Sequence, residues 1–317
     1  MLAAFDINAD PWAYHFHPEV WALILFLGGA WLYAVKVIGP RAVAPGGVII
    51  TRRQTMYFAA TILMLWGASD WPIHDVGETY LYSVHMFQHM ILAYFLPPLA
   101  LLATPEWLMR LIVGNGKGYR VVRFMSKPAI AGVLFNLMVM VTHIPGVVNT
   151  STTNGALHYS LHFLLVMTAL LMWMPVIGPF KELHISYPAK MGYLFLQSII
   201  PTVPAGWLTF AEGPVYKHYN IPVRVWGLSV ANDQQIAGAI MKVGGSFYLW
   251  GVIIYMYFGP YKDGADLDQS YLRKNRLQDV DGVAPMESVS DDELLTYEQV
   301  ADAFSKVPAA PEPERSS

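Results

Sequence analysis

The sequence predicts an all-α polytopic membrane bundle of seven transmembrane helices, N-terminus outside and C-terminus cytoplasmic, on three observations. Of its 317 residues, 55% are hydrophobic and only 14% are charged, whereas a soluble domain devotes about a quarter of its residues to charge. Several apolar runs approach or exceed the roughly 20 residues that an α-helix needs to cross hydrocarbon. Lys and Arg cluster in every other connection between those runs, as the positive-inside bias requires of loops that alternate between the two membrane faces.

Taken in order, the apolar windows between turn signals fall at Val20–Ile38, Gln54–Asp70, Tyr80–Ala103, Pro128–Ile144, Leu157–Ile177, Met191–Phe210 and Gln235–Gly259. The segment before the first, "MLAAFDINADPWAYHFHPEV", has no basic stretch ahead of an apolar core and does not read as a cleaved signal peptide. Lys36, Arg41, Arg52 and Arg53 flank the first connection, and Arg110, Lys117, Arg120, Arg123 and Lys127 fill the third. Lys181 and Lys190 bracket the fifth, while the second and fourth, "WPIHDVGET" and "PGVVNTSTTNG", carry no Lys or Arg. Lys217 and Arg224 in the sixth run against the rule. Pro201 and Pro204 predict a kink in the sixth helix, because proline removes a backbone donor and clashes with the preceding turn.

The chain divides into an external segment (1–19), a transmembrane domain (20–260) and an acidic cytoplasmic tail (261–317). From Gly264 onward the net charge is −7, against +4 for the rest. Within the tail, Ser290 to Glu293 is a capping-box pattern followed by Leu294, Tyr297, Ala301 and Phe304 at helical spacing, which predicts one short amphipathic helix. No basic block with interleaved aromatics points to nucleic acid, so the expected surroundings are the lipid bilayer and protein partners. There is no cysteine, which removes disulfides, thiolate metal sites and thiol redox chemistry. Nothing in the sequence fixes an oligomeric state.

Nine of the ten histidines fall toward the predicted outer face; only His184 does not. His85 and His89, in "HMFQHM", and His158 and His162, in "LHYSLH", are two i,i+4 pairs on different helices at similar depth. Such pairs project from one helix face about 6 Å apart. Facing one another they would offer four neutral imidazoles, with His143 a fifth candidate. Imidazole suits copper, zinc and iron rather than Mg²⁺ or Ca²⁺, and the thioethers of Met86, Met90, Met140 and Met241 would favour Cu(I) if they face the site. A single intramembrane histidine is often a packing or hydrogen-bonding residue. Two matched pairs favour a metal or cofactor site, since ionisable groups in membranes are usually functional. His15, His17, His74 and His218 read as solvent-side.

The last helix opens with "NDQQIAGAIMK". Asp233 and Gln234 are candidates to hydrogen-bond metal-bound imidazoles; the competing reading makes Asn232 or Asp233 the N-cap of their own helix. Lys242 either snorkels outward or pairs with an acid such as Asp70 or Asp233. Asp70, at the outer end of the second helix, is an interface residue or an accessory member of the site.

"HMFQHM" leading into "LPPLALLATP", then "LHYSLHFLLVM", then "NDQQIAGAIMKVGG" resemble the CtaG family of cytochrome c oxidase assembly proteins over roughly Pro18 to Pro260. The cysteine-dependent single-span copper chaperone that shares the name is excluded by the absence of cysteine. The resemblance implies seven spans in the bacterial plasma (inner) membrane and a part in making active haem–copper oxidase. Copper is the expected cargo, with oxidase subunits or other copper-delivery proteins as partners. Its motif positions here are His85, His89, His158, His162 and Asp233. No acid–base pair or nucleophile stands out, so a non-enzymatic role is expected. The alternatives are a membrane metal-dependent oxygenase or hydroxylase, a bis-His haem-b protein, and a structural scaffold.

Overall fold

The computed structural model describes residues 10–259, and the predicted amphipathic helix of the tail lies outside them. Among the described residues every element is helical, with no strand. The helices are numbered here in chain order: α1 Pro18–Ala42, α2 Arg52–Ser69, α3 Ile73–Thr79, α4 Tyr82–Ala103, α5 Glu106–Val113 and α6 Lys117–Met125. They continue as α7 Pro128–Thr142, α8 Pro145–Ser151, α9 Gly155–Ile177, α10 Tyr187–Ile199, α11 Thr202–Thr209 and α12 Val230–Phe258.

Local chemistry sets the helix starts. Thr51 and Gln54 form a reciprocal capping box at α2, with Gln54 N–H donating to Thr51 Oγ1 at 3.2 Å and Thr51 N–H donating to Gln54 Oε1 at 2.9 Å. Asn154 caps α9 by accepting from Leu157 N–H at 3.2 Å. Ser229, rather than Asn232 or Asp233, caps α12, accepting from Asn232 N–H at 3.1 Å. Pro18, Pro128 and Pro145 stand in first turns, where a missing N–H costs nothing.

Each of the seven predicted segments is helical, but four helices (α1, α4, α9 and α12) are long and apolar enough to cross a bilayer alone. A fifth is added if α6 and α7, bent by 74° at their junction, count as one span. The expectation of seven is thus met in part. α2 begins Arg-Arg-Gln, which lowers its apolar character. The sixth segment is broken outright: α10 has 13 residues and α11 has 8, each short of the roughly 20 needed. The break comes at Ile200–Pro201, where the predicted kink was centred. Pro204 sits harmlessly in the first turn of α11.

α4 is the central helix. Within its apolar window 67% of residues are buried, against 11% for α1, 39% for α9 and 28% for α12. Its second half packs on α2 and α9, and its first half on α3 and the start of α12. Three wide π-type turns interrupt the long helices, at Ala34–Ile38, Ile91–Phe95 and Ile240–Gly244. Such turns commonly mark functional stretches. The second follows His89 and Met90 directly and leads into Pro97 and Pro98.

The third π-turn carries Lys242, which takes neither predicted course. Its ammonium donates to Thr202 Oγ1 at 2.6 Å and to the Ser198 carbonyl at 3.2 Å. Ser198 belongs to the last turn of α10, whose final carbonyls have no partner once the helix stops before Pro201. The lysine therefore repairs the break.

Candidate metal centre

α4 enters the bundle on an acceptor supplied from far along the chain. Asp233 Oδ2 accepts from Tyr82 N–H at 2.8 Å and Oδ1 from Ser83 N–H at 3.0 Å, across sequence separations of 151 and 150 residues. The carboxylate thus caps the positive end of the helix that carries His85 and His89, instead of touching an imidazole as the sequence suggested. Gln234 likewise holds backbone: its Oε1 accepts from Val215 N–H at 2.7 Å and its Nε2 donates to the Tyr216 carbonyl at 3.3 Å. Asp70 is buried; its carboxylate accepts from Trp66 Nε1–H at 2.8 Å and Trp71 N–H at 2.9 Å, and its carbonyl accepts from His74 N–H at 3.1 Å.

With α4 so fixed, its His85 and His89 meet His162 of α9. One nitrogen from each of the three lies within 4.8 Å of the others, and His85 and His89 are buried. His89 Nε2 and His162 Nε2 are 3.0 Å apart. Ligands about 2.0 Å from a tetrahedral ion stand about 3.3 Å from one another, so the His89–His162 pair is already near that spacing, and His85 has to approach by no more than about 1.5 Å for the three to share one ion. His85 Nδ1 is buried with no hydrogen-bond partner, an orphaned donor or acceptor of the kind that asks for an explanation.

The other two predicted ligands lie at the edges. The His158 ring is 4.2 Å from that of His162 and 5.7 Å from that of His85, but its Nε2 lies 2.5 Å from Glu78 Oε1. The His143 ring is 6.3 Å from His89, and its Nε2 lies 3.2 Å from Met86 Sδ. Met86, Met90 and Met241 are buried, whereas Met140 is 37% exposed and faces away.

Glu78 is the residue that sequence reading passed over. It stands four residues after His74 on α3, and its Oε1 lies 3.1 Å from His74 Nδ1 as well as beside His158. Burial pushes the Glu78 carboxyl up, but the His158 contact and the charges of His74, His158 and His17 outweigh it and hold it below its ordinary range. His74 is not solvent-side: it is 5% exposed, covered by His17, whose ring is 4.9 Å away. Burial, with His17 and His158 nearby, lowers the His74 pKa against the opposing carboxylates.

The segment before α1 folds over α3. Here His17 Nε2 lies 2.7 Å from Asp75 Oδ1 and His15 Nδ1 lies 3.2 Å from Asp75 Oδ2. His218 Nε2–H donates to the Glu78 carbonyl at 2.9 Å, while burial depresses its pKa. His184, at the opposite end of the bundle, donates to the Gly178 carbonyl at 2.7 Å. An apolar cleft of about 920 Å³ runs between α1, α2, α4 and α9 and reaches His74, Gln88 and His162 at its histidine end.

The fold and this cluster define a multi-span membrane protein, all-helical among the described residues, with a buried group of imidazoles shared between two helices. A family model described as cytochrome c oxidase caa3 assembly factor (Caa3_CtaG) matches residues 30–263. The chain belongs to this family of oxidase assembly factors, as the resemblance of its histidine and "NDQQ" motifs implied. No curated protein and no solved structure matches the chain.

Proposed function

We propose that the chain binds copper, as Cu(I), at His85, His89 and His162 and helps it reach a haem–copper oxidase, with oxidase subunits or other copper-delivery proteins as partners. In this reading the α2 and α10–α11 segments complete seven spans in a bacterial plasma membrane. The N-terminus and the histidine end face outward, and the C-terminus is cytoplasmic. The supporting observation is the convergence of three imidazole nitrogens within 4.8 Å in a buried setting, a donor set that suits copper and not the hard cations.

Glu78 fits the same scheme, since a carboxylate against one of the surrounding rings is a recurring way to orient imidazoles near a metal. The role proposed is non-enzymatic, in keeping with a family of assembly factors. The 3.0 Å between His89 Nε2 and His162 Nε2 leaves no space for a macrocycle between them, which disfavours the haem-b reading.

The test is oxidase copper content and turnover in cells lacking this chain. Both should fall, and should return with the wild-type chain but not with His89→Ala. An oxidase that is fully metallated in the deletion strain refutes the proposal.

A further inference from the structure

We infer a second, softer metal site beside the imidazole triad, formed by Met86, Met90, Met241 and His143, which takes a monovalent thiophilic ion and borders the first at the His89 ring. It extends the copper reading above, but it stands on its own geometry.

The three methionines, His89 and His143 line one small cavity of about 30 Å³. That is enough for a single ion or water, since one probe-sized volume suffices. His143 Nδ1 lies 2.6 Å from the Val139 carbonyl oxygen, so Nδ1 carries the proton and donates it there. The neutral ring, the cheaper state in an apolar interior, then presents a lone pair at Nε2. What Nε2 meets, at 3.2 Å, is Met86 Sδ, which has no proton to give.

Two lone-pair donors facing one another is a poor contact by itself and a good one with a cation between them. Ligands about 2.0 and 2.3 Å from a three-coordinate ion stand about 3.7 Å apart, so Met86 must withdraw by about half an ångström. The thioether has three rotatable bonds with which to do so.

Among the side chains that line the cavity, Tyr94 and Thr142 carry the harder hydroxyl donors. The one proton of the Thr142 hydroxyl is taken by the Met138 and Val139 carbonyls, each 3.0 Å away, so its oxygen, 3.3 Å from His143 Nδ1, stands as an acceptor there. The backbone of His143 is held in turn by Tyr216, whose hydroxyl donates to the His143 carbonyl at 2.9 Å. Thioether and imidazole together select Cu(I) or Ag(I) over divalent ions. Because His89 lines this cavity and also approaches His162, an ion can pass between the two donor sets by reorientation of one ring.

Silver(I) and cobalt(II) separate the sites. Purified protein in detergent is expected to bind two Ag(I) per chain. The double variant Met86→Leu/Met90→Leu should bind one Ag(I) while keeping the visible bands of Co(II) on the imidazoles. His85→Ala should lose Co(II) and keep one Ag(I). Silver X-ray absorption on the wild-type protein supplies a readout that does not depend on a variant folding, and it should show sulfur scatterers. Wild-type silver with no sulfur neighbour, or a methionine variant that still binds two Ag(I), overturns the inference. Loss of Co(II) binding by the wild type with retention of sulfur-ligated Ag(I) would sink the triad and leave this site standing.

Discussion

Replacing Asp233 tests the claim that a distant carboxylate sets the position of the histidine helix. Asp233 is 1% exposed and accepts two backbone N–H groups, from Tyr82 at 2.8 Å and Ser83 at 3.0 Å. Hydrogen bonds to a charged acceptor are worth about 1.5–3 kcal/mol each. Asp233→Ala removes both and leaves two buried donors unpaired, so about 3 kcal/mol is a conservative loss, equivalent to somewhat more than a hundredfold in an equilibrium constant. Asp233→Asn keeps one acceptor oxygen, and the loss should halve to about 1.5 kcal/mol, or roughly tenfold.

The assay is amide hydrogen exchange across residues 80–90 in detergent, read together with Co(II) affinity at the imidazoles. Protection at the Tyr82 and Ser83 amides should fall in the order wild type, Asn, Ala, and metal affinity should fall in the same order. Unchanged protection in Asp233→Ala would show that the carboxylate does not hold α4. Unchanged protection with lost affinity would return Asp233 to the neighbourhood of the metal, where sequence reading first placed it.

Three further outcomes are expected. Thr202→Val removes the 2.6 Å acceptor of Lys242 and should lower the thermal unfolding temperature by the equivalent of about 1–3 kcal/mol; an unaltered transition would mean that the lysine does not bridge the α10–α11 break. Gly238→Ala would place a Cβ 2.7 Å from the Ala205 carbonyl and 3.0 Å from Thr209 N, backbone that cannot yield. A destabilisation of about 2 kcal/mol is expected, and a neutral effect in a melting experiment would contradict the close α11–α12 contact. His17 responds to pH. Burial opposes its charge, but Asp75 and Glu19 outweigh that and raise its pKa, so its stabilisation is complete below the ordinary value of 6.5 and is lost as pH rises through the raised one. With Asp75, Glu19 and His74 as the groups facing it, amide protection factors across residues 10–19, corrected for the intrinsic rise of exchange with pH, should fall above neutral pH, and His17→Gln should abolish that fall.

What could be read from sequence was whatever repeats within a helix turn. The i,i+4 spacing puts His85 beside His89 and His158 beside His162 on any helix, and the prolines at 201 and 204 signal a break. The same spacing holds for Glu78, four residues from His74, but "WPIHDVGET" has the proline and glycine of a loop, and its helical turn shows only in the fold. Long-range pairings were not readable. The partners of Asp233 lie about 150 residues away in the chain, and Lys242 meets α10 only because the break leaves carbonyls to be satisfied. His74 reads as solvent-side because nothing in its own loop hides it; its burial comes from distant chain, His17 of the preceding segment, Gln88 of α4 and Tyr159 of α9. Met140 and Met241 look equivalent in sequence, and only packing turns one outward and the other in.

Charge accounting around the cluster bears on which ion the proposed sites would hold. Every ligand offered is neutral: three imidazoles in one set, and three thioethers with an imidazole in the other. Of the acids buried near this end, Asp233 is engaged with backbone N–H groups and Asp70 with Trp66 and Trp71. Glu78 is the carboxylate that touches the surrounding rings, through His158. Placing an uncompensated charge in such surroundings costs several kcal/mol even after relaxation. One monovalent ion with one carboxylate a ring away leaves the ensemble neutral, whereas a divalent ion, or a second monovalent one, leaves a net positive charge in low dielectric. On this argument, neutralising Glu78 with Glu78→Gln should weaken Ag(I) and Co(II) binding alike while leaving the ligands in place. If affinity for both ions is unchanged, the carboxylate is not the counter-charge, and the preference for a monovalent ion must come from the donor atoms alone.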